Sequence, residues 1–386
     1  MMQRMIGRCV LALALFGCSG DDSTPPKDAG PEAGNDAGYP GPHPAPPQVR
    51  NQQGPILGTP RVVPVFFAND AYQSQVEDFL SKLTGSAYWT ATTSEYGVGA
   101  LTVAPSIVTT DAAPTTVDTT GIEAFLAKQT AGPNDVFAVF YPSTTTIDDP
   151  TFGTSCKDFN GFHWQGVTNP SLVYAVIPRC PSAGALTGFD AISASLSHEL
   201  VEAATDPFLA QSPAWAFTDV DHLIWSFVPG AEVADMCDLE PQSFQPLVGN
   251  HMVQRSWSNA SALAGHDPCV PALSQPYFVA APVLTAKQQI TFQSQVATTD
   301  GVQIAVGDTK TIAVQLFSDA PTSDWSVGAI DVNDPPGFTF AWDRQTGNNG
   351  DTLHLTITRT LGTSSEFAVT STMGTTTNLW FGFVAD

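Results

Sequence analysis

The sequence predicts an α+β domain over residues 55–272 and an all-β sandwich over residues 275–386. In the first region, apolar runs typical of buried strands alternate with segments whose apolar residues repeat at helical spacing. From residue 275 onward the pattern changes to strands in which apolar and polar residues alternate. Residues 21–47 consist of Pro, Gly, Ala and Asp with hardly an aromatic residue, a composition that cannot bury a core.

The N-terminal stretch reads as an export signal. Arg4 and Arg8 precede an apolar run that ends at Gly17 and is too short to span a bilayer. Leu15-Phe16-Gly17-Cys18 resembles the bacterial lipobox, which predicts cleavage after residue 17 and lipidation of Cys18. A plain signal peptide is the alternative. Residues 18–54 would then be a disordered tether, and the predicted location is the bacterial cell envelope, lipid-anchored and facing outward from the outer membrane or cell surface.

Charge limits the partners. The chain has 37 Asp and Glu against 14 Lys and Arg, a net charge of −23. Such an acidic protein is repelled by phosphate backbones, which excludes nucleic acid as an expected partner. The lipid anchor is the one predicted contact with a membrane.

Four cysteines remain after the signal and the lipidated position are set aside. An even number in an exported chain predicts two disulfides, for which three pairings exist. The local pairs Cys156–Cys180 and Cys237–Cys269 are favoured. A four-cysteine zinc site is the alternative, but the close Cys-x-x-Cys pairs that it uses are absent from the sequence.

The elements of the first region follow in order. Strands are predicted at residues 61–67, 101–108, 135–141 and 172–177, with helical spacing in residues 72–83 and 122–126. Pro64 indicates an edge strand or a bulge. The next helix is capped by Asp190 and ends near residue 204 or 205, because Pro207 disfavours helical geometry in the residue before it.

This last helix carries the candidate chemistry. His198 and Glu202 are four residues apart and therefore point the same way, with Glu199 beside them. The pattern is that of His-Glu-x-x-His metallopeptidases with Glu in place of the second His, so His198 and Glu202 are candidate zinc ligands and Glu199 the candidate catalytic base. A ligand helix beneath a small sheet predicts an α+β zincin-like domain. An ordinary amphipathic helix with exposed acids is the alternative.

A third ligand is expected downstream. No Lys or Arg occurs between Pro181 and Gln254, and crowded carboxylates without counter-ions favour a bound cation. Glu232 is the predicted third ligand, with Asp235 either accepting the N–H of His198 or replacing Glu232. His163 is a candidate substrate contact, with a packed loop histidine as the alternative.

Several separated motifs resemble the phosphate-induced, Exordium-like proteins and their bacterial and fungal relatives. They are residues 198–202 followed by Thr205-Asp206-Pro207, residues 232–237 and residues 254–260, together with the shorter stretches 86–89, 94–99 and 161–163. The likeness covers residues 55–272. It implies a zincin-like motif without a secure reaction, and because plant members have Asn where Asp206 stands, it does not favour Asp206 as a ligand.

The C-terminal strands predict a β-sandwich that is immunoglobulin-like. Ile312, Val314 and Leu316 alternate with polar residues, and Asn349-Gly350 is a turn signal. We expect an accessory region that serves adhesion, cell-wall or glycan contact, or spacing.

The predicted function is a secreted, membrane-tethered, zinc-dependent metalloendopeptidase acting on peptide or protein substrates. Two carboxylate ligands cancel the charge of the ion, so a harder divalent metal is an alternative to zinc. The alternative function is a non-catalytic cell-surface or glycan-binding protein whose metal only braces the fold.

Overall fold

The computed structural model describes residues 38–386 except residues 168, 170, 229, 293–294 and 364. The protein is mostly β, with 38% strand and 18% helix, and its described strands form eight sheets. The prediction of an α+β zincin-like domain is therefore wrong. Connections that the sequence pattern left as loops fold into short two-stranded pairs instead, which satisfies their backbone hydrogen bonds locally and raises the strand content.

The described elements of the first region are as follows. The helices are α1 (Gln73–Leu83), α2 (Ala87–Thr93), α3 (Thr119–Leu126), α4 (Gly188–Thr205), α5 (Ile224–Phe227) and α6 (Asn259–Leu263). The strands are β1 (Arg50–Asn51), β2 (Arg61–Phe67), β3 (Thr102–Val103), β4 (Ile107–Thr109), β5 (Thr116–Val117), β6 (Asp135–Tyr141), β7 (Thr146–Asp149), β8 (Gly153–Thr154), β9 (Phe162–Gln165), β10 (Val173–Pro178), β11 (Ser182–Ala183), β12 (Leu186–Thr187), β13 (Trp215–Ala216), β14 (Phe244–Val248), β15 (His251–Gln254), β16 (Ser256–Trp257) and β17 (Cys269–Val270).

A mixed six-stranded sheet organises this region, in the order β3-β2-β6-β10-β9 with β4 also paired to β2. All its pairings are parallel except β9 with β10. Of the two alternatives predicted from Pro64, the edge strand is wrong, because β2 has neighbours on both sides. Pro64 lies between the residues that pair with β3 and those that pair with β4, where the missing N–H interrupts no ladder on that side. The strand predicted at residues 101–108 is correspondingly split in two.

Both faces of this sheet are buried, which explains the continuous apolar runs. On one face, α3 and the segment around Phe152 and Phe159 cover Val139 and Val176. Helix α4 covers the opposite face through its apolar side, and it contacts β9, β10 and β15. Its start differs from the prediction, because Thr187 rather than Asp190 is the N-cap residue. Its predicted end near Thr205 is confirmed.

Both predicted disulfides are confirmed. Cys156 pairs with Cys180 and Cys237 pairs with Cys269. Structural disulfides persist in oxidising environments, so the protein is extracellular or at the cell surface. Within the described residues, no helix has both the length and the apolar character needed to cross a membrane.

Residues 38–54 differ from the predicted tether, because they pack on the folded protein. Strand β1 pairs antiparallel with β13, and Val49 is buried. The backbone N–H of Gly41 donates to Asn349 and the ring of His43 stacks on Phe317, both in the C-terminal region. Cys18 and the remainder of the predicted tether lie outside the described residues.

The predicted C-terminal β-sandwich is confirmed. Its strands are β18 (Phe278–Pro282), β19 (Ala286–Phe292), β20 (Gln295–Gln303), β21 (Thr309–Ser318), β22 (Trp325–Asp331), β23 (Phe338–Trp342), β24 (Thr346–Gly347), β25 (Thr352–Arg359), β26 (Glu366–Met373) and β27 (Thr376–Ala385). One sheet has the order β18-β21-β25-β23 and the other β19-β20-β27-β26-β22-β24.

The two regions share one apolar core. On β18, Phe278 and Ala280 face the core between the two sheets, whereas Val279 and Ala281 join the core of the first region. Trp225 of α5 packs edge-on against Phe381 of β27, with ring centroids 4.9 Å apart. The first region therefore covers part of the outer surface of the sandwich, around β18 and β27.

Candidate metal centre

Helix α4 places the three motif residues as their spacing predicts. His198 and Glu202 lie one turn apart, with 3.1 Å between His198 Nε2 and Glu202 Oε2. Glu199 lies beside them and is 5% exposed. Hairpin β14–β15 packs along the same helix and fixes it, since the hydroxyl of Ser197 accepts the backbone N–H of Gln254.

Gln254 sets the orientation of His198. Its amide N–H donates to the carbonyl oxygen of Ala234, so its Oε1 faces His198 Nδ1 at 3.0 Å. An amide oxygen only accepts, and Nδ1 therefore carries the proton. Nε2 then faces Glu202 Oε2 at 3.1 Å and Asp235 Oδ1 at 3.6 Å. Two carboxylate oxygens around one imidazole nitrogen form a position that suits a cation, either a proton on the ring or a metal ion.

Asp235 is held in place by the short turn that contains it. Its Oδ2 accepts the backbone N–H groups of Ala231 and Glu232, and its own N–H donates to Glu202 Oε1. The disulfide at Cys237 anchors the end of this turn. Asp235 therefore faces Nε2 of His198, whereas the sequence analysis expected it either to accept the N–H of His198 or to replace Glu232 as a ligand.

His163 lies beneath the cleft rather than at its mouth. It comes from the edge strand β9, and its side chain is 2% exposed. Nδ1 lies 3.6 Å from both Glu199 Oε2 and Glu202 Oε2, and Nε2 lies 3.4 Å from Glu232 Oε1. The candidate substrate contact is thus surrounded by the carboxylates of the site.

The described side chains form two candidate metal-binding groups that share Glu202. One joins His198, Glu202 and Asp235 and is partly exposed; the other joins His163, Glu202 and Glu232 and is fully buried. The predicted set of His198, Glu202 and Glu232 is not one of them. Imidazole nitrogen with carboxylate oxygen is a donor set that suits Zn²⁺ or Mn²⁺, so the residues fit the expected metal.

Burial and charge act together on these groups. Burial raises the pKa values of Glu199, Glu232 and Asp235. Burial also disfavours the charge of Glu202, but His198 and His163 outweigh it and lower its pKa to about 2. Burial lowers the pKa values of His163 and His198, but the neighbouring carboxylates raise them by more. Both pKa values therefore lie well above the usual value of a histidine. Both rings therefore favour the protonated form more than an exposed imidazole does.

A cleft leads to the partly exposed group. Its volume is about 80 Å³, and Phe159, Phe244 and Asp238 are among the side chains that line it. Gly161 forms part of the wall, where a Cβ would lie 2.8 Å from Glu199 Oε1. Because Gly161 has no side chain, the carboxylate of Glu199 can occupy this part of the cleft without a steric clash.

Sequence reasoning missed the roles of Gln254 and His163. Gln254 belonged to a motif but had no assigned task, and it lies 56 positions from His198. His163 could have been found from the sheet order, since an edge strand beside β10 runs next to α4. Both roles depend on contacts between residues that are far apart in the sequence, so no local pattern predicts them.

No family model matches the chain, and no curated protein matches it. Membership of the Exordium-like family therefore stays a prediction.

Among solved structures, the chain is similar to domains 4 and 5 of the S-layer protein SbsC, at 18% identity and a TM-score of 0.18 over 27% of this chain and 54% of that one. It is also similar to the twitchin kinase region from C. elegans, at 16% identity and a TM-score of 0.19 over 29% and 16% of the two chains. The titin M3 domain matches at 12% identity and a TM-score of 0.17 over 28% and 94%. The chain thus spans about half of the SbsC fragment and a small part of the twitchin region.

Proposed function

We propose that the protein is an extracellular metal-dependent hydrolase that cleaves peptide bonds. The observation that carries this proposal is the fixed orientation of His198, whose Nε2 faces Glu202 and Asp235 while Gln254 holds Nδ1. This arrangement offers three ligand atoms at the floor of a cleft that opens to solvent. The side chains of His198 and Asp235 are 15% and 19% exposed, so a substrate can reach this group.

His198, Glu202 and Asp235 would hold the metal, which when bound acts as a Lewis acid on a substrate carbonyl. Glu199 would accept the proton of the attacking water. Its pKa is raised by burial, which makes it a stronger base than an exposed carboxylate. His163 Nδ1, 3.6 Å from Glu199 Oε2, would stabilise the ionised form of this base.

The peptide class of substrate is supported by the edge strand. Strand β9 ends the central sheet within the described part of the chain, and Phe162 and His163 from this strand line the cleft. An extended peptide can pair with the outer edge of such a strand and so present its carbonyl groups in a fixed register. The aromatic rings of Phe159 and Phe244 at the cleft offer apolar contacts to its side chains.

Replacement of the candidate base tests the proposal. Glu199→Gln keeps the size of the side chain but removes the base, so peptide cleavage should fall by about 10²-fold or more while metal stays bound. The measurement is digestion of casein and of a peptide library by zinc-loaded protein, with and without chelator. Asp190→Asn, on the exposed first turn of the same helix, is the matched control. Unchanged cleavage by Glu199→Gln would remove Glu199 from the mechanism, and a wild type inert to every peptide would favour a binding protein.

We also propose the finer location, a lipid anchor at Cys18 that holds the protein at the bacterial cell envelope. The lipobox-like stretch at residues 15–18 supports it. An anchored hydrolase would act on proteins or peptides close to the surface that carries it.

A further inference from the structure

We propose that the site holds two divalent cations, the second one buried among His163, Glu202, Glu232 and Asp206. This inner position is separate from the partly exposed group to which the proposed hydrolysis is assigned. The inference concerns metal binding, and it does not require that the protein hydrolyses anything.

The inner group is assembled from three distant parts of the chain. His163 comes from β9, Glu202 from α4, and Glu232 from the segment before the Asp235 turn. One ligand atom from each lies within 4.8 Å of the others. The side chains of His163, Glu202 and Glu232 are 2%, 3% and 1% exposed. Three converging donors shielded from water are a buried cluster that could hold an ion, rather than a solvated acidic surface.

Asp206 supplies an independent observation. It follows the last residue of α4 and is fully buried, and its Oδ1 accepts the backbone N–H of Ala214. Its Oδ2 is buried with no hydrogen-bond partner among the described residues. The backbone carbonyl oxygen of Asp206 lies 3.2 Å from His163 Nε2, which places Asp206 beside the inner group. A buried carboxylate oxygen without a donor is costly, and a cation at this position would satisfy it.

The charge of the site also favours cations. Glu199, Glu202, Asp206, Glu232 and Asp235 are neighbours in one small volume, and the ion pairs described for four of them are with His163 or His198. Two imidazoles supply at most two positive charges against five carboxyl groups. A second divalent cation at the inner group would add positive charge and so favour the ionised form of its carboxyl groups.

The geometry separates two positions rather than one. His163 and His198 belong to different groups, and Glu202 Oε2 lies between them, 3.6 Å from His163 Nδ1 and 3.1 Å from His198 Nε2. A shared carboxylate between two cations is the arrangement of two-metal hydrolases. With three carboxylates and one imidazole, the inner position is richer in oxygen than the outer one and should prefer Mn²⁺.

Metal counting tests the inference on the whole chain. Protein stripped with chelator is reloaded with Mn²⁺, desalted and analysed for metal per chain. We expect two Mn²⁺ in the wild type, one in Glu232→Gln, one in Asp235→Asn and fewer than one in Glu202→Gln. Asp190→Asn on the same helix should keep two. Asp206→Asn should lose the same ion as Glu232→Gln.

Electron paramagnetic resonance of the wild type tests for the second ion without any substitution. Two Mn²⁺ that share a carboxylate are magnetically coupled, so the fully loaded wild type should give a coupled electron paramagnetic resonance spectrum. One Mn²⁺ per wild-type chain with an uncoupled spectrum would overturn the inference. That result would leave the proposed hydrolase standing, and two bound ions in a protein that cleaves no peptide would refute only the hydrolase.

Discussion

At the scale of single residues, the site depends on an amide rather than on another acid. Gln254 can present its oxygen to His198 only because its N–H₂ group is occupied by Ala234. A carboxylate at this position would accept the same proton but would repel the carbonyl oxygen and add negative charge to an already acidic site. The amide therefore orients the ligand without further charge.

Removal of this amide should weaken metal binding. Gln254→Ala frees the ring of His198 and removes one contact of the Asp235 segment, so affinity for Zn²⁺ should fall by about 10- to 100-fold, the usual scale for loss of a partner that orients a ligand. Isothermal titration of the apo protein with Zn²⁺ measures this. Gln245→Ala, on the neighbouring strand, is the control. Equal affinity in the Gln254 variant would show that His198 needs no such support.

The relative positions of the candidate site residues on α4 could be predicted from the sequence, because they depend only on spacing within one helix. His198, Glu199 and Glu202 are fixed relative to one another by helical geometry alone. The choice between Glu232 and Asp235 depended on how a loop approaches the helix, and the backbone N–H groups that hold Asp235 are invisible in the sequence. The spacing permitted both residues, and the structure places each with a different histidine.

At the scale of elements, the segment after the Cys237 turn connects the two regions. Glu240 accepts the backbone N–H of Leu379 on β27. Burial and the negative charge of Asp267 raise the pKa of Glu240 to about 8, although this hydrogen bond opposes the shift. The folded protein therefore retains a proton on Glu240 at pH values where the unfolded chain has lost it.

This proton makes stability depend on pH. Its stabilising contribution is present in full below the ordinary pKa of 4.5, and it is lost as pH rises through the folded value of about 8. Glu240→Gln still accepts from Leu379 but does not ionise. Relative to wild type, the variant should gain about 1 kcal/mol between pH 5 and pH 8, a discounted figure because Glu240 is only partly buried. Urea unfolding of both proteins at the two pH values measures it, and parallel changes would contradict the assignment.

The elements themselves were predicted unevenly. The buried strands β2, β6 and β10 and helix α4 have strong apolar patterns and lie where the sequence places them. The paired segments β11–β12, β14–β15 and β16–β17 are too short to show a period, and their partners are set by the fold around them. Those short pairs add to the strand content of the first region, and the ten strands of the sandwich supply most of the rest.

At the scale of the whole molecule, the disulfides indicate an extracellular or cell-surface location, and the anchor at Cys18 is our proposal for how the protein is held there. If Cys18 carries lipid, Cys18→Ser should move the protein from the membrane fraction to the soluble fraction of the expressing bacterium, because the variant lacks the lipidated thiol. Immunoblots of both fractions measure the change. A Ser19→Ala variant serves as the control and should remain with the membrane. Unchanged fractionation of the Cys18 variant would refute the anchor.

The shared core has a further consequence. Val279 and Ala281 on β18, with Phe381 on β27, contact the first region, while their neighbours on the same strands fill the sandwich. If the chain were divided near residue 274 and the two regions were expressed separately, each would expose an apolar surface that is buried in the whole protein. We therefore expect each region, expressed alone, to be less stable and more prone to aggregation than the whole chain.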